Sequence, residues 1–145
     1  MRLTSFTDYS LRVLIFLAAE PDRRATIAEI AAAFDVKENH LTKVAHFLGQ
    51  QGWLVTTRGK GGGLQLALAP ERIGVGAVVR RAEGADLPAE CFDRENNRCP
   101  IVLACRLKGV LRDAVDAFHA VLDRYTLADL VQDRVALVAL LPQRA

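Results

Sequence analysis

Trp53-Leu54-Val55-Thr56-Thr57-Arg58-Gly59-Lys60-Gly61-Gly62-Gly63-Leu64-Gln65-Leu66-Ala67-Leu68 is two strand-like runs joined by a glycine-rich, basic tip. Residues 53–57 and 64–68 read as strands, and a short glycine-containing connection between such runs predicts a β-hairpin. The tip does not read as a nucleotide phosphate loop. That motif runs G-x-x-x-x-G-K-[ST] into a helix, whereas this one runs into a strand with no Ser or Thr after Lys60. A solvated turn is the plain alternative. The residues before the hairpin favour a more specific reading.

Upstream, three helical patterns succeed one another. The first covers about residues 7 to 20, with Phe6, Ser10, Val13, Leu14 and Leu17 at helical spacing, and Pro21-Asp22 ends it. The second opens on Thr26-Ile27-Ala28-Glu29, a capping box in which threonine and glutamate satisfy each other's backbone amides. The third spans about residues 39 to 51 and stops at Gly52. Leu41, Val44, Ala45, Phe47 and Leu48 form its apolar face. Asn39, Thr42, Lys43 and His46, at i, i+3, i+4 and i+7, form its polar face. Two helices on a tight turn, the second with a buried and a polar face, make a helix-turn-helix. With the hairpin after it, the expected fold is mainly α with a small β-wing: a winged helix-turn-helix. Asn39, His40, Thr42 and Lys43 would then enter the major groove of double-stranded DNA. Arg58 and Lys60 would meet the minor groove or the phosphate backbone, where glycines permit close approach.

Downstream, Pro70 breaks the chain, and a short helix is expected over residues 75–83. A largely polar loop then carries Cys91, Cys99 and Cys105, the only three cysteines. A long helix starts near Leu107, with Leu107, Leu111, Ala114, Phe118, Val121 and Tyr125 spaced 4-3-4-3-4. That is the seam of a helix packed lengthwise on a partner. Covering the winged-helix core is the alternative, but little core is left to occupy it. A homodimer is therefore expected, placing two reading helices on the two half-sites of a palindromic operator. Residues 127–131 and 135–141 read as a short helix or packing tail. The expected division is residues 1–84 as the winged-helix domain, 85–106 as the cysteine loop, and 107–145 as the dimerisation helix and tail.

Composition bounds the function. Of the 145 residues, 51% are hydrophobic and 25% charged, which suits one soluble domain. Net charge is only +2, but residues 1–62 hold eight Lys/Arg against six Asp/Glu, while residues 63–145 balance. The surplus lies with the helix-turn-helix, in weak support of an anionic partner there. The apolar run at residues 13–19 is flanked by Asp8, Arg12 and Glu20-Pro21-Asp22 and reads as an amphipathic helix rather than a signal sequence. No membrane span is expected, and a cytoplasmic location is. No nucleophile–base or carboxylate pair at a recognisable spacing points to an enzyme.

In a reducing compartment, C-x7-C-x5-C points to metal or redox chemistry rather than disulfides. Structural zinc grips tight C-x2–4-C knuckles, which these spacings do not supply. Thiolates spread along a loop suit a larger iron–sulfur cluster, and the N-terminus of the helix after Cys105 would favour their negative charge. Free redox thiols and ordinary cysteines are the other readings. Three thiolates leave a fourth coordination position. His40, His46 and His119 fit DNA contact or solvent better than ligation.

Several stretches resemble one family. Leu3-Thr4-Ser5-Phe6-Thr7-Asp8-Tyr9-Ser10-Leu11-Arg12, Asn39-His40, Val55 to Gly63, Ala104-Cys105-Arg106-Leu107-Lys108 and Tyr125-Thr126-Leu127-Ala128-Asp129-Leu130-Val131 are similar to the winged-helix, dimeric iron–sulfur transcription regulators that include NsrR and IscR. The likeness runs from residue 2 to about 131. IscR-like members carry a histidine three residues after the last cysteine; here Lys108 stands there, which favours the nitric-oxide-sensing NsrR branch. The first cysteine spacing is longer than the family's pattern. The resemblance implies a cluster, [4Fe–4S] with [2Fe–2S] as the alternative, held by Cys91, Cys99 and Cys105, with Asp8 of the other subunit as fourth ligand. It also implies a repressor that releases DNA when nitric oxide attacks the cluster. The alternatives are an IscR-type redox regulator and a zinc- or thiol-based DNA-binding module.

Overall fold

The computed structural model describes residues 2–84, 88–93 and 95–141. Arg94 of the cysteine loop, residues 85–87 at the expected domain boundary and residues 142–145 of the tail lie outside the described residues. Helix α1, Ser5–Ala19, starts two residues earlier than its apolar spacing suggests, because Thr4 caps it by accepting from the Thr7 amide. Val13, Leu14, Leu17 and Ala18 are fully buried along it, so α1 is the central post of the fold. Helix α2, Ile27–Phe34, begins with the expected capping box. The Glu29 amide donates to Thr26 Oγ1 at 3.2 Å, and Glu29 Oε2 accepts from the Thr26 amide at 2.7 Å. Helix α3, Glu38–Gln50, buries Leu41, Val44, Ala45 and Leu48, and Gly52 past its end takes φ +76. That left-handed turn is where glycine costs least.

Strands β1, Leu54–Thr57, and β2, Gly63–Leu66, pair antiparallel with Leu54 opposite Leu66 and Thr57 opposite Gly63. The wing does not stand free. Ala25, in the α1–α2 connection, and Leu64 exchange two backbone hydrogen bonds, at 3.1 and 2.7 Å, so a third short segment holds the inner strand. Phe6, Phe47 and Trp53 meet edge-on in series, at centroid distances of 5.2 and 6.3 Å, and join α1, α3 and the base of the wing. Such edge-to-face pairs fit the ring quadrupoles.

A 3-10 turn at Pro70–Arg72 leads into α4, Val75–Glu83. Beyond the cysteine loop come α5, Arg106–Leu122, then α6, Leu127–Leu130, and α7, Arg134–Leu140. No residue of α5 is buried, and Leu107, Val110 and Val121 are 59%, 61% and 45% exposed. Immediately after it the chain re-enters the core: Leu127 and Val131 are buried against the same cluster as Leu14 and Ile30. One expected seam residue is displaced. Helix α5 ends at Leu122, and Tyr125 lies beyond it, because the chain there bridges to Gly74 through Thr126 and the Tyr125 carbonyl accepts from the Val75 amide. Among the described residues no helix is long and apolar enough to cross a membrane.

Candidate DNA interface and cysteine centre

Asn39, His40, Thr42 and Lys43 all lie exposed on α3, on the face opposite its buried leucines. They are not equally free. Thr42 Oγ1 donates to the Glu38 carbonyl at 2.9 Å, so its proton is already used within the helix. His40 stacks on Tyr9 of α1, with centroids 6.2 Å apart and rings 18° from parallel. His40 and Lys43 also line an apolar hollow of about 200 Å³ with Ser5, Phe6, Tyr9 and Val44. The reading helix thus rests on the first two turns of α1.

Arg58 and Lys60 are exposed on the wing, with Gly59 at φ +90 between them and Gly61 at φ +78 after Lys60. The glycine run is a packing requirement as well as a turn. A Cβ on Gly63 would lie 2.9 Å from the Ala25 carbonyl oxygen. Sequence spacing missed one cation here. Arg24 Nη1 donates to the Gly61 carbonyl at 3.3 Å and brings a third positive charge to the wing. It lies 37 residues from Gly61 in the chain, and only the Ala25–Leu64 bridge brings the two together. No local pattern could have announced it.

Cys91, Cys99 and Cys105 are free thiols, each partly buried. Cys91 lies in a 3-10 turn, Glu90–Phe92, and Cys105 is the N-cap of α5. The loop between them is shaped by its own polar side chains. Asp93 accepts from the amides of Glu95 and Asn96 and from the Asn96 side chain, at 2.9 to 3.0 Å. These bonds hold its carboxyl below the ordinary value, the Asn96 side chain contributing most. Glu90 Oε1 accepts from the Arg98 amide at 2.6 Å, and the Cys99 amide donates to Asn97 Oδ1 at 3.0 Å. Lys108 Nζ sits 5.9 Å from the centre of the Phe92 ring, which draws the Cys91 turn toward the first turn of α5. A cation over an aromatic face is attracted by its quadrupole.

The donor chemistry fits an iron–sulfur cluster. Three free thiols, soft donors once deprotonated, lie in one loop. The N-terminus of α5, where the loop ends, has no side-chain cap and no acid in its first turn, so its positive end is left for an anion. Among the described residues no three His, Cys, Asp or Glu side chains stand together as a metal site within the single chain. Asp8 is on α1, where Arg12 Nη2 approaches Oδ2 at 2.8 Å and Arg12 Nε donates to Oδ1 at 3.1 Å.

A helix-turn-helix with an exposed polar reading helix and a basic glycine wing defines a DNA-binding transcription regulator. The chain belongs to the Rrf2 family, described as iron-dependent transcriptional regulator, whose match covers residues 3–133. It is 49% identical to the HTH-type transcriptional regulator NsrR of Bacillus subtilis, over 99% of each chain. Among solved structures it resembles T. potens IscR, with TM-score 0.74 and 26% identity over 99% of this chain and 94% of that one. It also resembles CymR, named the global cysteine regulator of B. subtilis, with TM-score 0.69 and 27% identity over 91% and 97%. The family is one of transcriptional regulators and not of enzymes.

Proposed function

We propose that this protein is a dimeric, cytoplasmic repressor that binds a palindromic operator and releases it in response to nitric oxide. The supporting observation is the placement of three free thiols on the loop that ends at the uncapped N-terminus of α5, a helix that buries none of its own residues. In this reading residues 1–84 read DNA, residues 85–106 hold the cofactor and α5 pairs with its counterpart in a second copy.

Cys91, Cys99 and Cys105 would hold a [4Fe–4S] cluster, with Asp8 of a second copy at the fourth position. When bound, the cluster would supply irons reactive toward nitric oxide, with Cys91, Cys99, Cys105 and Asp8 as the residues that would hold it. The chain's own part is mechanical. Both Asp8 carboxylate oxygens are engaged by Arg12, so ligation through Asp8 would exchange one charge partner for another. Its neighbour Tyr9 stacks on His40 of the reading helix. A pull on the first turn of α1 therefore reaches the DNA-reading face within one residue. Two arrangements of α1, biased by ligation, would give two operator affinities. Asn39, His40, Thr42 and Lys43 would read bases, while Arg58, Lys60 and Arg24 would hold the wing to the backbone or minor groove.

The test is the visible spectrum of anaerobically purified protein before and after nitric oxide. A chromophore that nitric oxide bleaches, with parallel loss of operator binding, is expected. Cys99→Ala should remove it and raise target-gene expression. A colourless protein with stoichiometric zinc would overturn the reading in favour of a zinc module.

A further inference from the structure

Helix α5 is tied to α4 at its C-terminal cap. Among the described residues of α5 none is buried, yet its C-terminal cap Asp123 is grasped by Arg80 of α4. Arg80 Nη1 donates to Asp123 Oδ1 at 2.7 Å, and Nη2 donates to Oδ2. The fork matches the two carboxylate oxygens one to one, a geometry that fixes orientation as well as distance. Gly76, one turn before Arg80, makes room for it. A Cβ there would collide with Asp123 Oδ1 and approach Arg80 Nη1 to 3.1 Å. Backbone bonds frame the same spot. The Val75 amide donates to the Tyr125 carbonyl at 2.9 Å, and the Leu127 amide to the Ile73 carbonyl at 2.8 Å.

We propose that Arg80, Asp123 and Gly76 form a joint that sets the angle of the reading head on α5, and through it the spacing of DNA half-sites the protein accepts. The inference rests on the dimeric reading above. These are positioning residues; none lies on α3 or the wing. Both side chains of the pair are close to half exposed, 42% and 46%, so the pair adds little to fold stability. Its consequence is geometric. A small change of angle at the C-terminus of a 17-residue helix displaces a reading head that must match a groove one turn of DNA from its twin.

The experiment uses full-length protein and palindromic duplexes selected by the wild-type protein from a random pool, with the spacer between half-sites changed by one and two base pairs. Wild-type protein is expected to lose about thirtyfold in affinity per added base pair, because the second head leaves its groove. Arg80→Gln should flatten that penalty to about threefold with an unchanged melting temperature, since a loose joint tolerates mismatched spacing. The exchange Arg80→Asp with Asp123→Arg should restore selectivity. A variant whose affinity falls by one factor at every spacing, or whose profile matches wild type, would overturn the joint. Wild-type indifference to spacing would instead overturn the dimeric reading beneath it.

Discussion

Arg58 illustrates what a single residue is expected to do here. It is exposed, and Gly59 beside it, at φ +90 and without a side chain, would let the wing approach a phosphate closely. Arg58→Ala should weaken binding about equally across DNA sequences and reduce the salt dependence by about one counterion, because phosphate contacts position without specifying. Fluorescence anisotropy at several salt concentrations measures this, and an unchanged visible spectrum should accompany it. Three acids speak to pH. Asp123, Asp129 and Asp93 lie below the ordinary carboxyl value of 3.8, held there chiefly by hydrogen bonds from Arg80, the Thr126 amide and the Asn96 side chain. A depressed folded-state value means that the stabilisation is complete above 3.8 and is lost as pH falls through the lower folded values. Melting temperature should therefore hold steady from neutrality to about pH 5 and drop below about pH 4. A decline already under way at pH 6 would contradict this assignment.

Among the elements, the short α2 depends on its first turn. It has only eight residues, too few to be stable without caps and packing. Thr26→Ala removes one side of the capping box and should cost about 1 kcal/mol, read from urea unfolding. The cost should spread to the wing, because Ala25, next to the cap, pairs with Leu64 of β2. Capping and stop signals were legible at this scale. Thr26 and Glu29 named the start of α2, and Gly52 the stop of α3, since both rest on contacts within a few residues. The end of α5 was not legible. The 4-3-4-3-4 apolar spacing continued through Tyr125, but a bridge between Gly74 and Thr126, far apart in sequence, ended the helix at Leu122. Periodicity records which side chains favour one face; it does not record where a distant backbone pulls the chain away.

For the whole molecule, the decisive contrast lies between α5 and α6 with its C-cap. Leu107, Val110 and Val121 stand exposed, while Leu127 and Val131 a few residues later are buried. Large apolar side chains left exposed along one helix suit an interaction face. Leu107→Glu combined with Val121→Glu should convert the proposed dimer to monomer by analytical ultracentrifugation and leave the circular dichroism of the winged fold intact. Operator affinity should fall more than about a hundredfold, since one head then binds alone. A variant that stays dimeric would place the interface elsewhere.

The winged helix-turn-helix arises from local chemistry: apolar residues at helical spacing, a reciprocal cap, and strands around glycines that accept positive φ. The three cysteines and the polar face of α3 were visible for the same reason, because residue type and spacing are properties of the chain itself. Tertiary structure alone decided the contacts between distant segments: Arg24 on the wing, Tyr9 on His40, and Arg80 on Asp123 across the room left by Gly76. Each joins residues that no local spacing relates, and each exists because packing a shared core around α1 carries their backbones to the same place.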